Sequence, residues 1–144
     1  MKYPILFTNN PTQDETKILW QGISRHAKQV RGLKPGEAFG FFIRDEIEHI
    51  KGGCSGYLFY GCLMVDLLWV DESIRNQGYG TTLMLAAENL AIQKQCHFMT
   101  GNTMDFEAPV FYKKLGFFIE FERRGFDNDS IFYFLRKNLI RNSE

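Results

Sequence analysis

Two glycines one residue apart, Gly78 and Gly80, stand in RNQGYG between the apolar run MVDLLWV and the stretch TTLMLAAENLAIQK. Glycine lacks a Cβ, so a turn built on it leaves its amides unshielded, and a helix starting there has four N–H groups without intrahelical partners. Such a turn is an anion cradle. The partial positive end of the helix macrodipole favours phosphate, and Arg75 can add a charge-assisted hydrogen bond. The common phosphate motifs do not fit: GxGxxG needs a glycine at 83, where Leu83 stands, and a P-loop needs GKS or GKT after four intervening residues. The competing reading is a tight turn whose glycines only pack a helix onto a strand.

Other chemistries have no footing. His26, His49 and His97 lie far apart with no HxxH spacing, which speaks against metal and triad roles. GCSG at 53–56 is not the GxSxG nucleophile elbow. Cys54, Cys62 and Cys96 are odd in number and form no CxxC, so they read as reduced thiols serving as small core residues.

A chain of 144 residues fits one domain, large enough to bury roughly 70% of its unfolded surface. With 17 Lys plus Arg against 17 Asp plus Glu, no global field gathers nucleic acid or an anionic membrane, so neither is expected as a partner. An anionic ligand must be bound locally. The apolar stretch near the N-terminus is too short for a signal peptide, and CLMVDLLWV contains Asp66 and is too short to span a bilayer. A cytoplasmic enzyme or binding domain is the expectation.

The elements that must position the glycine turn follow from pattern. Thr12 and Glu15 make a capping box before Ile18, Leu19, Ile23, His26 and Val30 at helical spacing, predicting a helix over Gln13–Val30. Strands are predicted over Phe39–Arg44, His49–Phe59 and Cys62–Val70, with a break at Tyr60 and Gly61, and Gly52, Gly53 and Gly56 mark a bulge or a close backbone approach. A helix over Gly78–Gln93 presents Tyr79, Leu83, Ala86, Ala87, Leu90 and Ala91 on one face. A short strand over Cys96–Thr100, a helix over Phe106–Leu115, and an antiparallel pair over Phe117–Glu122 and Ser130–Arg136 complete the chain. This order predicts an α+β domain with a largely antiparallel sheet and one strand–helix–strand crossover, in which RNQGYG lies.

From Leu68 the sequence reads LxVxxxxRxxGxG, then Asn102, then AxxFYxxxGF from Ala108 to Phe117. This combination resembles the GNAT superfamily of acyl-CoA-dependent N-acetyltransferases, and the element order from Gln13 onward resembles that fold. The resemblance implies a single GNAT-like domain over residues 1–144, with a mixed, mostly antiparallel central sheet splayed between its fourth and fifth family strands and flanked by helices. It implies that Arg75 through Gly80 hold the pyrophosphate of coenzyme A, notably through the amides of Gln77, Gly78, Tyr79 and Gly80, with Thr81 following. Leu68 and Val70 match positions whose main chain pairs with the pantetheine arm, in a V-shaped gap between Cys62–Val70 and Cys96–Thr100. Asn102, placed just past the second of these strands, matches a polar position near that arm. Acetyl-CoA is then the expected co-substrate, with no metal.

Acetyl transfer from a thioester to an amine needs a neutral nitrogen, a stabilised oxyanion and a proton for the departing thiolate. An alkyl ammonium has a pKa of about 10.4, so near neutral pH only about one molecule in a thousand is nucleophilic unaided. Asp66, within an otherwise apolar strand, is the candidate base, directly or through water; the competing reading is a structural carboxylate. Asp71 and Glu72 are alternatives in the next loop. Tyr112 matches the tyrosine of the family's FYxxxGF segment, whose phenol can give the thioester sulfur its proton. The competing reading is a core aromatic, since Phe111 and Tyr112 are adjacent and cannot both face inward on one helix. A main-chain N–H of Leu68–Val70 would stabilise the oxyanion, and Trp69 reads as core more readily than as a cavity wall.

The expected activity is therefore transfer of acetyl from acetyl-CoA to a primary amine, small molecule or protein, by direct attack in a ternary complex. The alternative is a non-catalytic acyl-CoA-binding sensor or interaction module of the same fold, which binds CoA without turnover. No motif distinguishes the acceptor. A homodimer paired through the C-terminal strand and a monomer are both compatible with the sequence.

Overall fold

The computed structural model describes residues 2–139. The chain divides into two units, Met1–Pro35 and Gly36–Glu144. In the first, helix α1 (Gln13–Arg31) begins at the anticipated capping box. The Glu15 amide donates to Thr12 Oγ1 at 3.1 Å and the Thr12 amide to Glu15 Oε1 at 2.8 Å. Asp14 and Glu15 in its first turn and Lys28 and Arg31 in its last complement the macrodipole, and Gly32 ends it with φ 66°. Among the described residues no helix is long and apolar enough to cross a membrane.

The second unit is built on a six-stranded sheet: β1 (Glu37–Arg44), β2 (Ile50–Phe59), β3 (Cys62–Val70), β4 (Phe98–Met104), β5 (Phe118–Arg123) and β6 (Phe132–Asn138), in spatial order β1-β2-β3-β4-β6-β5. Only β3 and β4 run parallel, joined through helix α2 (Tyr79–Gln93); every other pairing is antiparallel. This is the mixed, mostly antiparallel α+β architecture anticipated from the element order. The β2–β3 hairpin turns at Tyr60 and Gly61, both with positive φ (50° and 83°), the backbone that suits right-twisted strands.

One sheet face carries the core. Leu63, Val65, Met99 and Leu135 are buried there beneath α2, which lies against β1 to β4. Ala87 and Ala91 of α2 have no exposed surface, so small side chains bring the helix close to the sheet. Met84 joins that buried stripe, whereas Tyr79, expected on it, stays at the surface in the first helical position. All three cysteines are free and buried.

Two irregularities shape the centre of the sheet. In the β2–β3 ladder Ser55 faces Leu67 and Gly56 faces Val65, so Asp66 is the extra residue of a bulge. A Cβ on Gly56 would overlap the Met64 carbonyl oxygen, so a bare backbone is what lets β2 close against it. The extra residue also shifts the side-chain alternation: Leu63 and Val65 pack in the core before it, Leu68 and Val70 after it. Secondly, β3 and β4 pair only over Cys62–Val65 and Phe98–Gly101. Beyond that point β3 runs on to Val70 and β4 to Met104 without pairing with each other.

Three expectations need correction. β4 does not stop at Thr100, because β6 pairs with its far half (Asn102 with Phe134, Met104 with Phe132); Asn102 therefore lies inside the strand. Helix α3 (Pro109–Lys114) starts later than residue 106. The Glu107 amide closes a turn onto the Met104 carbonyl (3.0 Å), the Ala108 amide donates to Thr103 Oγ1 (3.1 Å), and Pro109 sits where its missing N–H costs nothing. Lastly, β6 lies between β4 and β5 with both edges used within the chain, so of the two states compatible with the sequence, a homodimer paired through this strand finds no free edge on it.

Candidate active site

The two glycines of RNQGYG do different work. Gly78 has φ 87°, a left-handed backbone that L side chains rarely adopt, and a Cβ there would meet nothing within 4 Å. Open space thus lies over the turn. Gly80 has no such backbone need, but a Cβ on it would come 3.3 Å from the Phe111 ring, so its bareness seats α3 against the start of α2.

The first helical bond of α2 runs from the Thr82 amide to the Gly78 carbonyl at 3.0 Å, and no side chain caps the helix. The amides of Gln77, Gly78, Tyr79, Gly80 and Thr81 accordingly face no acceptor among the described residues. Arg75 Nε donates to the Val70 carbonyl at 2.9 Å, tying the glycine turn to the end of β3.

Leu68 and Val70 edge the gap between β3 and β4. The Asp71 amide bonds the Lys51 carbonyl on the β2 side at 2.8 Å, so by strand alternation the main-chain groups of Val70 and Leu68 point the other way, into the gap. With the Val70 carbonyl taken by Arg75, the Leu68 amide and carbonyl and the Val70 amide remain. Asp66 is exposed at the apex of the gap, the first β3 residue past the last β3–β4 pair; Asn102 is its counterpart on β4.

Of the alternative bases, Asp71 is already engaged. It accepts from the Ser73 amide (3.0 Å) and the Ser73 hydroxyl and pairs with Lys51 at 3.3 Å. The hydrogen bonds from Ser73 hold its carboxyl down to about 2. Glu72 begins a short 3-10 turn (Glu72–Ile74) and is exposed.

Tyr112 resolves the adjacency of the two aromatics on α3. It is buried, 4% exposed, with its ring against Phe117 (5.5 Å, 81°) and beside Gly101, where a Cβ would stand 3.7 Å from it; Phe111 turns to Gly80 instead. Contacts thus run from the glycine turn through Phe111 and Tyr112 to Gly101 at the apex of the gap. No described residue hydrogen-bonds the Tyr112 hydroxyl. Burial, reinforced by Cys54 and Glu107, pushes the phenol up to about 12. Gly101 and Phe111 are the site residues that sequence reasoning missed; a glycine inside a strand, next to the family's asparagine, was the available signal.

Burial likewise raises the Cys54 and Cys62 thiols from 9.0 to about 11. The fold therefore holds these protons more tightly than the unfolded chain, and the stability they confer is intact below pH 9 and drains away between about 9 and 11. Stability from urea titrations should be lower at pH 10.5 than at pH 8 by about 2 kcal/mol per thiol; equal midpoints would show that the thiols do not titrate in this way.

Comparison with known proteins adds the following. A sequence profile of the Acetyltransferase (GNAT) family matches residues 6–117. The blasticidin-S acetyltransferase of Streptomyces morookaense is 35% identical over 89 residues, 61% of this chain and 65% of that protein, so the match spans just under two thirds of the relative. A crystal structure of an acetyltransferase from Bacillus cereus superimposes with a TM-score of 0.74 at 28% identity, covering 93% of this chain and 98% of that one. A Bacillus anthracis protein described as a streptothricin acetyltransferase, crystallised with acetyl coenzyme A, shares the fold at 17% identity (TM-score 0.62, 71% of this chain and 62% of that one).

Proposed function

The chain belongs to the GNAT family of acetyltransferases, and from that premise we propose that it transfers acetyl from acetyl-CoA to a primary amine by direct attack. The observation that carries this reading is the gap between β3 and β4, opening past Val65 and Gly101 with main-chain groups of Leu68 and Val70 turned into it. Unpaired strand edges need partners, and an extended pantetheine chain supplies amides like a surrogate strand. The acetyl-CoA complex of the Bacillus anthracis protein supports the same choice of ligand. The matched span, residues 6–117, supports one acetyltransferase domain, and three free thiols support a reducing, cytoplasmic setting.

Acetyl-CoA supplies the acetyl group as a thioester. The amides of Gln77 to Thr81 receive its diphosphate at the positive end of α2, on a neutral chain with no global field to help. Arg75 keeps the glycine turn fixed to β3, and its remaining guanidinium nitrogens face the same anion. Leu68 and Val70 hold the pantetheine amides, and Asn102 adds a polar contact across the gap. An N–H of this β3 segment faces the oxyanion as the amine attacks.

Asp66 accepts the proton that the amine loses, directly or through water. Tyr112 donates to the sulfur as the carbon–sulfur bond breaks. A phenol that holds its proton to about pH 12 does not ionise fully in favour of a thiolate whose ordinary pKa is about 8.5. Tyr112 therefore works as a hydrogen-bond donor and conduit, and the proton on the released thiol balances the one given up by the amine.

The test is thiol release from acetyl-CoA with a panel of primary amines, beside calorimetry with CoA. Amine-dependent thiol release supports the transferase. CoA affinity without transfer to any amine would favour a binding module, and absence of CoA affinity would end the reading.

A further inference from the structure

The sheet face turned away from the core carries a run of aromatic rings on β4, β6 and β5 that the transfer chemistry leaves unused. Leu135 and Ile119 point into the core, so Phe132, Phe134 and Arg136 of β6 point to the opposite face, as do Asn102 and Met104 between the buried Gly101 and Thr103. Across the ladders Asn102 stands opposite Phe134, Phe134 opposite Phe121, and Phe132 opposite Arg123. The rings touch in sequence: Phe121 to Phe134 at 5.7 Å, Phe134 to Phe132 at 4.9 Å, Phe132 to Phe126 at 5.9 Å. Phe121 and Phe126 are 54% and 42% exposed.

This platform starts at the chemistry. Asn102 is the first β4 residue past the apex of the gap and shares a face with Phe134 beside it. At the far side Arg123 folds back over the rings, 5.2 Å from the Phe134 centroid and 5.8 Å from that of Phe121. Its guanidinium has no carboxylate partner among the described residues, whereas Arg124 pairs with Glu122 and Arg136 with Glu120.

We propose that this platform binds the acceptor, and that the acceptor is a primary amine on a flat aromatic body with a carboxylate at its far end. The proposal rests on the acetyltransferase reading and names the substrate class of that site. Exposed phenylalanine rings reward a flat ring laid against them, and an exposed, unpaired guanidinium over those rings rewards a carboxylate. Polycationic acceptors are disfavoured: Arg123 already sets a positive charge beside Phe134 and Phe121, and Arg136 sits 3.9 Å over Phe98 on the same sheet face.

The experiment is calorimetry on the full chain, first with CoA alone, then with CoA present and 4-(aminomethyl)benzoate, benzylamine or spermidine as the titrant. The expected order of affinity is 4-(aminomethyl)benzoate, then benzylamine, then spermidine. Arg123→Gln, a change at an exposed side chain, should weaken 4-(aminomethyl)benzoate at least tenfold and leave benzylamine within twofold. Phe134→Leu should weaken both. Spermidine binding tighter than 4-(aminomethyl)benzoate, or an Arg123→Gln protein that binds 4-(aminomethyl)benzoate as well as wild type, would overturn the acceptor class while leaving the transferase intact. Failure of CoA itself to bind would remove both.

Discussion

Tyr112→Phe is expected to lower kcat about a hundredfold while the Kd for acetyl-CoA stays within a factor of two. The substitution keeps the ring against Phe117 and beside Gly101, so packing in the core and at the apex of the gap is retained and only the hydroxyl is lost. The effect belongs in the step where the carbon–sulfur bond breaks, so single-turnover rates should fall as far as kcat. A second signature comes from burial of the phenol. Since Tyr112 stays protonated to about pH 12, the wild-type pH profile of kcat/KM should climb as the amine deprotonates and show no alkaline fall up to about pH 9, below which the buried thiols keep their protons. An unchanged kcat under conditions where chemistry limits the rate would remove Tyr112 from the mechanism.

Gly78→Val should weaken CoA binding about a hundredfold. A branched side chain at φ 87° costs roughly 1–3 kcal/mol in backbone strain, which the turn relieves by moving away from left-handed geometry and taking its amides out of alignment. No described residue lies within 4 Å of a Cβ at Gly78, so the loss is to the ligand and not to packing. Gly78→Asn, a residue that tolerates positive φ, should fall between the two. Gly80→Ala makes the contrast: its Cβ presses on Phe111 and through it on Tyr112, so kcat should suffer more than affinity. Calorimetry with CoA on proteins of matched circular dichroism separates the three, and a Gly78→Val protein with wild-type affinity would mean that the turn does not hold the diphosphate.

Local signals proved readable where one residue type has one physical use. The Thr12–Glu15 box, the Tyr60–Gly61 turn and the apolar run Cys62–Val70 all lie where composition placed them, because each depends on neighbours within a few positions. What escaped was set by distant pairing. The length of β4 is decided by β6, about thirty residues away, and nothing within FMTGNTM announces it. The glycine at 56 hinted at a bulge, but that Asp66 is the residue it ejects follows only from the register with β3. Arg75 was assigned to the diphosphate by charge alone; its hydrogen bond to the Val70 carbonyl depends on how the turn folds back.

The insertion of β6 between β4 and β5 bears on how the protein is made. β5 has no other partner in the sheet, and the far half of β4 has none on its remaining side, so neither can settle until the segment after residue 131 has emerged. One wall of the gap between β3 and β4 is consequently assembled only once β6 is available, by non-local contacts of the kind that slow folding. A ribosome-stalled chain lacking that segment should be open to proteolysis in β4 and β5 while the β1–β2–β3 meander is already protected.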